Sequence, residues 1–101
     1  PLDLAATVPG VLEEVGRAFA DRGLELCAEP PRAPLPVCGD PARLQQVQVN
    51  LLMNAAKYTP AGGRVWYALA AEGPDAVVRV RDTGAGMTAE MLGRAFEPFA
   101  Q

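Results

Sequence analysis

Histidine is missing altogether from this 101-residue chain, and cysteine occurs only twice. Cys27 and Cys38 have no metal-ligand spacing around them, so neither a zinc site nor a disulfide framework is expected. Both lie in short apolar segments and read as buried free thiols of a reducing compartment, with a disulfide between them as the alternative. Long hydrophobic runs are also lacking, and no charged-then-apolar leader precedes Leu2, so the visible chain is expected to be soluble and to make no direct membrane contact. Positive charge is in deficit: twelve acidic against nine basic side chains give a formal charge of -3. That balance argues against nucleic acid or an anionic membrane as a partner, while leaving room for a nucleotide held by local donors.

What remains is apolar and compact. Half of the residues are hydrophobic and 21% are charged, which excludes a disordered chain. At this length folding buries roughly 65% of the unfolded surface, enough for one core and one domain.

Punctuation along the chain is clear. Val8, Val11, Leu12, Val15 and Phe19 recur at helical spacing, and Gly23 supplies a left-handed stop. The start of this helix is open between Asp3 as a cap and Pro9 in a first turn. LELC at 24–27 alternates like a short strand, and the proline-rich run from Glu29 to Pro36 cannot enter a sheet interior. Val37 and Cys38 offer a second short strand. Asp40 followed by Pro41 starts a helix that runs to about Tyr58, with Leu44, Val47, Leu51, Ala55 and Tyr58 on its apolar face, before Pro60, Gly62 and Gly63 end it. Val65, Tyr67 and Leu69, a turn at 73–75, then Val78 and Val80 make an antiparallel hairpin. A glycine-rich loop follows at 82–86, and Thr88 to Arg94 has room for one or two helical turns. The expected class is an α/β two-layer sandwich of the α+β kind, with helices on one face of a mixed, mainly antiparallel sheet.

Two features break this pattern. Asn50, Asn54 and Lys57 fall within an arc of about 60° beside the apolar stripe of the second helix. Mid-helix asparagine costs stability, so the arc is either a solvated, locally capped margin or a ligand site, in which an amide oxygen suits Mg²⁺ and an ammonium balances phosphate charge. Asp82 is in phase with Val78 and Val80, on the core face of its strand. Either it closes an Asx turn into Gly84, or it accepts a hydrogen bond from the exocyclic amine of a bound base such as adenine, with Gly84 and Gly86 letting the backbone turn beside the ligand. Phe96 and Phe99 read as loop anchors, compatible with a mobile lid.

Together, DPARLQQVQVNLLMNAAKYTPAGG at 40–63, RVRDTGAGM ending the strand, and FEPFAQ at 96–101 resemble the N box, G1 box (80–87) and F box of the ATP-binding catalytic domain of bacterial two-component sensor histidine kinases. The resemblance spans 1–101 as one domain and implies a Bergerat-type ATP-binding fold of the GHKL superfamily, incomplete at its C-terminus before the glycine-rich G2 box. It implies ATP and Mg²⁺ as cofactors, with Asn54 on the metal, Asn50 as its companion, Lys57 on phosphate and Tyr58 near the nucleotide. Asp82 is similar to the aspartate that recognises the adenine amino group, Gly84 and Gly86 to the turn glycines, Met87 to the residue beneath the base, and Phe96 and Phe99 to the F-box pair. Related ATPases carry a glutamate at the position of Asn50; an amide there removes a general base for hydrolysis and favours transfer.

By the same resemblance, the γ-phosphoryl passes to a histidine on a separate dimerisation domain, since none exists here, and then to a response regulator in a phosphorelay. The domain would be cytoplasmic, in a parent for which anchoring in the inner membrane is one option, and this piece alone is expected to be inactive. Two alternatives stay open: a nucleotide-free signalling module of the same fold, and a serine kinase of the anti-sigma type. With no neighbour beyond it, the strand 76–82 is expected to expose an edge and favour self-association.

Overall fold

The computed structural model describes residues 2–84 and 86–94. Strand β1 (Leu2–Asp3) leads into a short 3-10 helix (Leu4–Thr7) and helix α1 (Val8–Asp21). Strands β2 (Glu25–Glu29) and β3 (Pro36–Val37) precede helix α2 (Pro41–Tyr58). Strands β4 (Arg64–Glu72), β5 (Asp75–Asp82) and β6 (Met87–Arg94) complete the described chain.

Both candidate starts of the first helix are used. Asp3 Oδ1 accepts from the backbone N–H of Ala5 at 3.1 Å and caps the 3-10 helix, while Pro9 sits in the first turn of α1. Gly23 ends the segment at φ 67°. Asp40 caps α2 by accepting from Ala42 N–H at 3.0 Å, with Pro41 where no backbone donor is needed.

β2, β4, β5 and β6 form one mixed sheet in that order, with β2 parallel to β4 and the other pairs antiparallel. β1 and β3 pair separately. The helices pack on one face, α1 against α2 and α2 against β4, β5 and β6. Val65, Tyr67, Leu69, Val78 and Val80 meet Val11, Val15, Phe19, Leu44 and Leu52 in the core. This is the two-layer α/β architecture expected from the pattern.

Four expectations are corrected. Residues 88–94 are not helical: they run back along β5 from Met87 opposite Arg81 to Arg94 opposite Asp75. The unpaired N–H and C=O groups of β5 offer a ladder that outweighs the weak helix preference of a segment containing Thr88 and Gly93. Consequently β5 is an interior strand rather than an exposed edge, which removes the ground for expecting self-association there. The buried face of α2 is rotated, centring on Leu44, Gln48, Leu52 and Ala55, with Val47 and Leu51 half-buried and Tyr58 63% exposed. The thiols are free but not buried: Cys27 is half-exposed on the outer strand β2, and Cys38 is exposed just before α2.

Candidate functional site

The C-terminal half of α2 faces the end of β5 across a cavity of about 280 Å³ lined by Leu51, Asn54, Ala55, Tyr58, Asp82 and Thr88. Its size is near the lower end of the roughly 300–1,000 Å³ typical of small-molecule sites. The walls are apolar on the Leu51–Ala55 side, and three polar groups of different chemistry converge on it. Those are an amide that both donates and accepts, a carboxylate that accepts, and a hydroxyl that does either.

Asp82 is the last residue of β5, and both readings of it hold in part. It is half-buried on the core face, and its Oδ1 also accepts from Gly84 N–H at 2.8 Å and Gly86 N–H at 3.3 Å. The backbone closes the same loop, with Asp82 N–H donating to Gly86 C=O at 2.9 Å. One carboxylate oxygen is thereby fixed by two backbone donors, which sets the orientation of the whole group.

Glycine is required at both loop positions for different reasons. Gly86 has φ 115°, a region that side chains rarely adopt. Gly84 lies against the end of α2, where a Cβ would come within 2.9 Å of the Tyr58 carbonyl oxygen and 3.2 Å of Pro60 Cδ. The glycine loop and the helix terminus are therefore in direct backbone contact, and this brings Asp82 beside Asn54.

The polar arc of α2 is only partly gathered at the cavity. Asn54 lines it. Asn50, one turn earlier, is exposed and accepts from Gln46 Nε2 at 2.9 Å through its Oδ1. Lys57 is exposed and does not line the cavity; its Nζ lies 5.6 Å from the centroid of the Tyr58 ring. Met87 is elsewhere. It pairs with Arg81 and so projects from the opposite sheet face, where it borders another hollow with Trp66, Arg79 and Arg81. Phe96 and Phe99 lie outside the described residues.

Thr88 escaped the sequence reading because its segment looked helical. Once it is a strand residue opposite Val80, period two places it on the Asp82 face. Among the described residues no group of three or more histidine, cysteine, aspartate or glutamate side chains could hold a metal ion. A lone amide oxygen such as that of Asn54 fits Mg²⁺ only as one ligand among waters and substrate oxygens, the usual manner of that ion.

Fold and cavity together define a two-layer α/β domain with a hollow of small-molecule size between one helix and the end of its sheet. The chain belongs to the family described as histidine kinase-, DNA gyrase B-, and HSP90-like ATPase, which matches residues 39–101. Within that family its likeness is to the ATP-binding catalytic domains of sensor histidine kinases. It is 47% identical over 75 residues to the sensor histidine kinase RcsC of Escherichia coli K12, covering 74% of this chain and 8% of that protein. It is 35% identical over 99 residues to the sensor protein kinase PmrB of Pseudomonas aeruginosa, covering 98% of this chain and 20% of that protein. Among solved structures, the mycobacterial sensor histidine kinase MprB superposes with a TM-score of 0.70 at 34% identity, over 83% of this chain and 53% of that one. Full-length ShkA in complex with AMPPNP superposes with a TM-score of 0.70 at 30% identity, over 83% of this chain and 18% of that one. The chain thus spans a small fraction of the length of these curated relatives.

Proposed function

We propose that this domain binds Mg²⁺–ATP in the Asn54–Asp82 cavity and, within a longer sensor histidine kinase, donates the γ-phosphoryl to a histidine on a separate dimerisation domain. The observation that carries the reading is that Asn54 of α2 and Asp82 of β5 border one hollow. ShkA's solution with an ATP analogue supports the ligand. The structural likeness to ThkA, solved in complex with a response regulator, accords with a phosphorelay to such a partner, although at 23% identity it speaks to fold.

In this reading the 101 residues form the N-terminal portion of one catalytic domain, with the N box at 40–63, the G1 box at 80–87 and the F box at 96–101. The Asp82 carboxylate, oriented by the Gly84 and Gly86 N–H groups, accepts from the amino group of adenine. A base lacking that donor forgoes a hydrogen bond to a carboxylate already oriented for it, which disfavours that base. Tyr58 and Leu51 supply the flat and apolar walls. Lys57, exposed over the Tyr58 ring, would meet phosphate oxygens, and Asn54 would supply an uncharged oxygen to Mg²⁺. The bound ion would neutralise charge on the phosphates.

Transfer breaks the bond between the γ-phosphorus and the bridging oxygen and forms a phosphorus–nitrogen bond to the imidazole; ADP leaves with the electron pair. The chain has no histidine, so the acceptor lies on another segment. Asn50 offers an amide engaged with Gln46 rather than a carboxylate, so that position supplies no general base to activate water, which favours transfer over hydrolysis. Among the described residues no helix is long and apolar enough to cross a membrane, and we assign the domain to the cytoplasm, where ATP and the regulator are found.

Titration of a fluorescent ADP analogue with Mg²⁺ tests this. Saturable binding that is lost in Asp82→Asn is expected. No saturable binding by the wild-type chain would instead favour a nucleotide-free docking module.

A further inference from the structure

The most buried polar cluster of the molecule lies away from the cavity. Gln48 has 0% relative exposure, Tyr67 1% and Thr7 5%. The Tyr67 hydroxyl donates to Gln48 Oε1. Gln48 Nε2 donates to Thr7 Oγ1 at 2.9 Å and to the Leu44 carbonyl at 3.1 Å, and the Thr7 hydroxyl donates to the Leu4 carbonyl at 2.7 Å. Every buried side-chain nitrogen and oxygen among the described residues has a partner. The chain of bonds joins the 3-10 helix, α2 and β4.

Stability alone does not account for these residues. Replacing a complete buried hydrogen-bonded set by hydrocarbon of similar shape is often neutral or favourable. Hydrogen bonds do supply something hydrocarbon contacts do not, because they tolerate little change in distance or angle, whereas apolar surfaces can slide and repack. A small rotation or axial shift of α2 would break the bonds to Tyr67 and Thr7 together.

The same helix and strands bound the nucleotide cavity. Asn54 lies six residues beyond Gln48, roughly 9 Å further along α2. Tyr67 is two residues from Val65 on β4, and Val65 is the cross-strand partner of Asp82. At its far end α2 is stopped where the Tyr58 carbonyl abuts Gly84. Asn54 is therefore held between two fixed points, one of which is the Gln48 amide.

We propose that Gln48 is a positioning residue of the nucleotide site: through Tyr67 and Thr7 it sets the rotation and axial position of α2, and with them the placement of Asn54 against Asp82. The inference rests on the cavity being the nucleotide site. The side chains of Thr88, Tyr58 and Lys57 are not needed for it.

The test separates position from stability. Gln48→Leu leaves the Tyr67 hydroxyl without its acceptor and takes one donor from Thr7 Oγ1, and is expected to be destabilised. The triple variant Thr7→Val, Gln48→Leu, Tyr67→Phe removes the whole set and is expected to recover most of the wild-type urea midpoint. Calorimetric titration with ADP and Mg²⁺ should nonetheless find its affinity about five- to tenfold weaker than wild type. Wild-type affinity in the triple variant would overturn the proposal, because the network would then serve folding only. Should the triple variant fail to fold, Tyr67→Phe keeps the shape and removes one bond; its Asn54 side-chain amide should shift in ¹⁵N spectra, and an unmoved Asn54 signal overturns the proposal. That spectrum needs no ligand. A wild-type chain that binds no ADP would defeat the nucleotide reading, while the Asn54 shift would still decide whether Gln48 positions α2.

Discussion

The Tyr67 hydroxyl, on the central strand β4, donates to the side-chain carbonyl of Gln48 on α2, and both side chains are shut away from solvent. Burial pushes the Tyr67 hydroxyl well above the ordinary tyrosine value of 10.0. Because the folded state holds the proton more tightly than the unfolded state, its contribution to stability is complete below about pH 10. Above that pH it is lost progressively, by at most about 1.4 kcal/mol per pH unit. Tyr67→Phe should cost about 1–3 kcal/mol at neutral pH, since Gln48 Oε1 loses its donor. The variant should also show a shallower loss of stability between pH 10 and 12. Urea unfolding at a series of pH values measures both effects.

The two asparagines of α2 should separate in function. Asn54 borders the cavity, whereas Asn50 is turned to Gln46 on the exposed side. Asn54→Ala should abolish most of the gain in ADP affinity that Mg²⁺ gives, by a factor at the upper end of the about 10- to 100-fold typical of disturbed metal sites. Asn50→Ala should change it little. Parallel titrations with Mg²⁺ and with EDTA give the ratio directly; equal effects from the two substitutions would show that the arc acts as a unit.

Strand β6 makes a prediction of its own. Thr88 opposite Val80 and Glu90 opposite Val78 require cross-strand nuclear Overhauser contacts between those pairs and strand-like backbone shifts over residues 87–94. Helical shifts there would return the segment to the reading its local sequence suggested, and would take Thr88 out of the cavity.

Legibility in the sequence followed the reach of the forces involved. Asp40 with Pro41, Gly23 and the alternation of 65–69 with 78–80 act within a few residues, and the elements they predict are present with small shifts of boundary. Asn54 and Asp82 were likewise visible, each as a polar residue intruding on an apolar pattern, and the fold brings them to one hollow. Gln48 was not. A glutamine on a helix reads as solvent-facing unless a partner is known, and its partners Tyr67 and Thr7 are distant in sequence, so the apolar stripe was drawn about one residue off its true centre. The strand at 87–94 was missed for a related reason: its local preference is weak, and its conformation is decided by the open ladder of β5. Met87, which the resemblance likens to the residue beneath the base, lies in β6 opposite Arg81, so strand period turns it to the other sheet face.

Gly84 gives a steric prediction that bears on the site. Its φ is not in the left-handed region, so the torsional argument that applies to Gly86 does not apply here. The obstacle is backbone: an alanine Cβ at 84 would meet the Tyr58 carbonyl oxygen at 2.9 Å, and a helix-terminal carbonyl cannot swing aside as a long side chain can. The loop must move instead, carrying with it the N–H that holds Asp82 Oδ1. Gly84→Ala should therefore cost about 1–3 kcal/mol, as overpacking does, and weaken ADP binding more than its stability loss explains. Gly16→Ala is the matched control. It lies within α1 with nothing within 4 Å of the new methyl, so it should stabilise the fold by about 0.5–1 kcal/mol and leave ADP affinity unchanged. Urea midpoints and ADP titrations on the two variants are sufficient, and an ADP affinity for Gly84→Ala equal to that of Gly16→Ala would uncouple the glycine loop from the site.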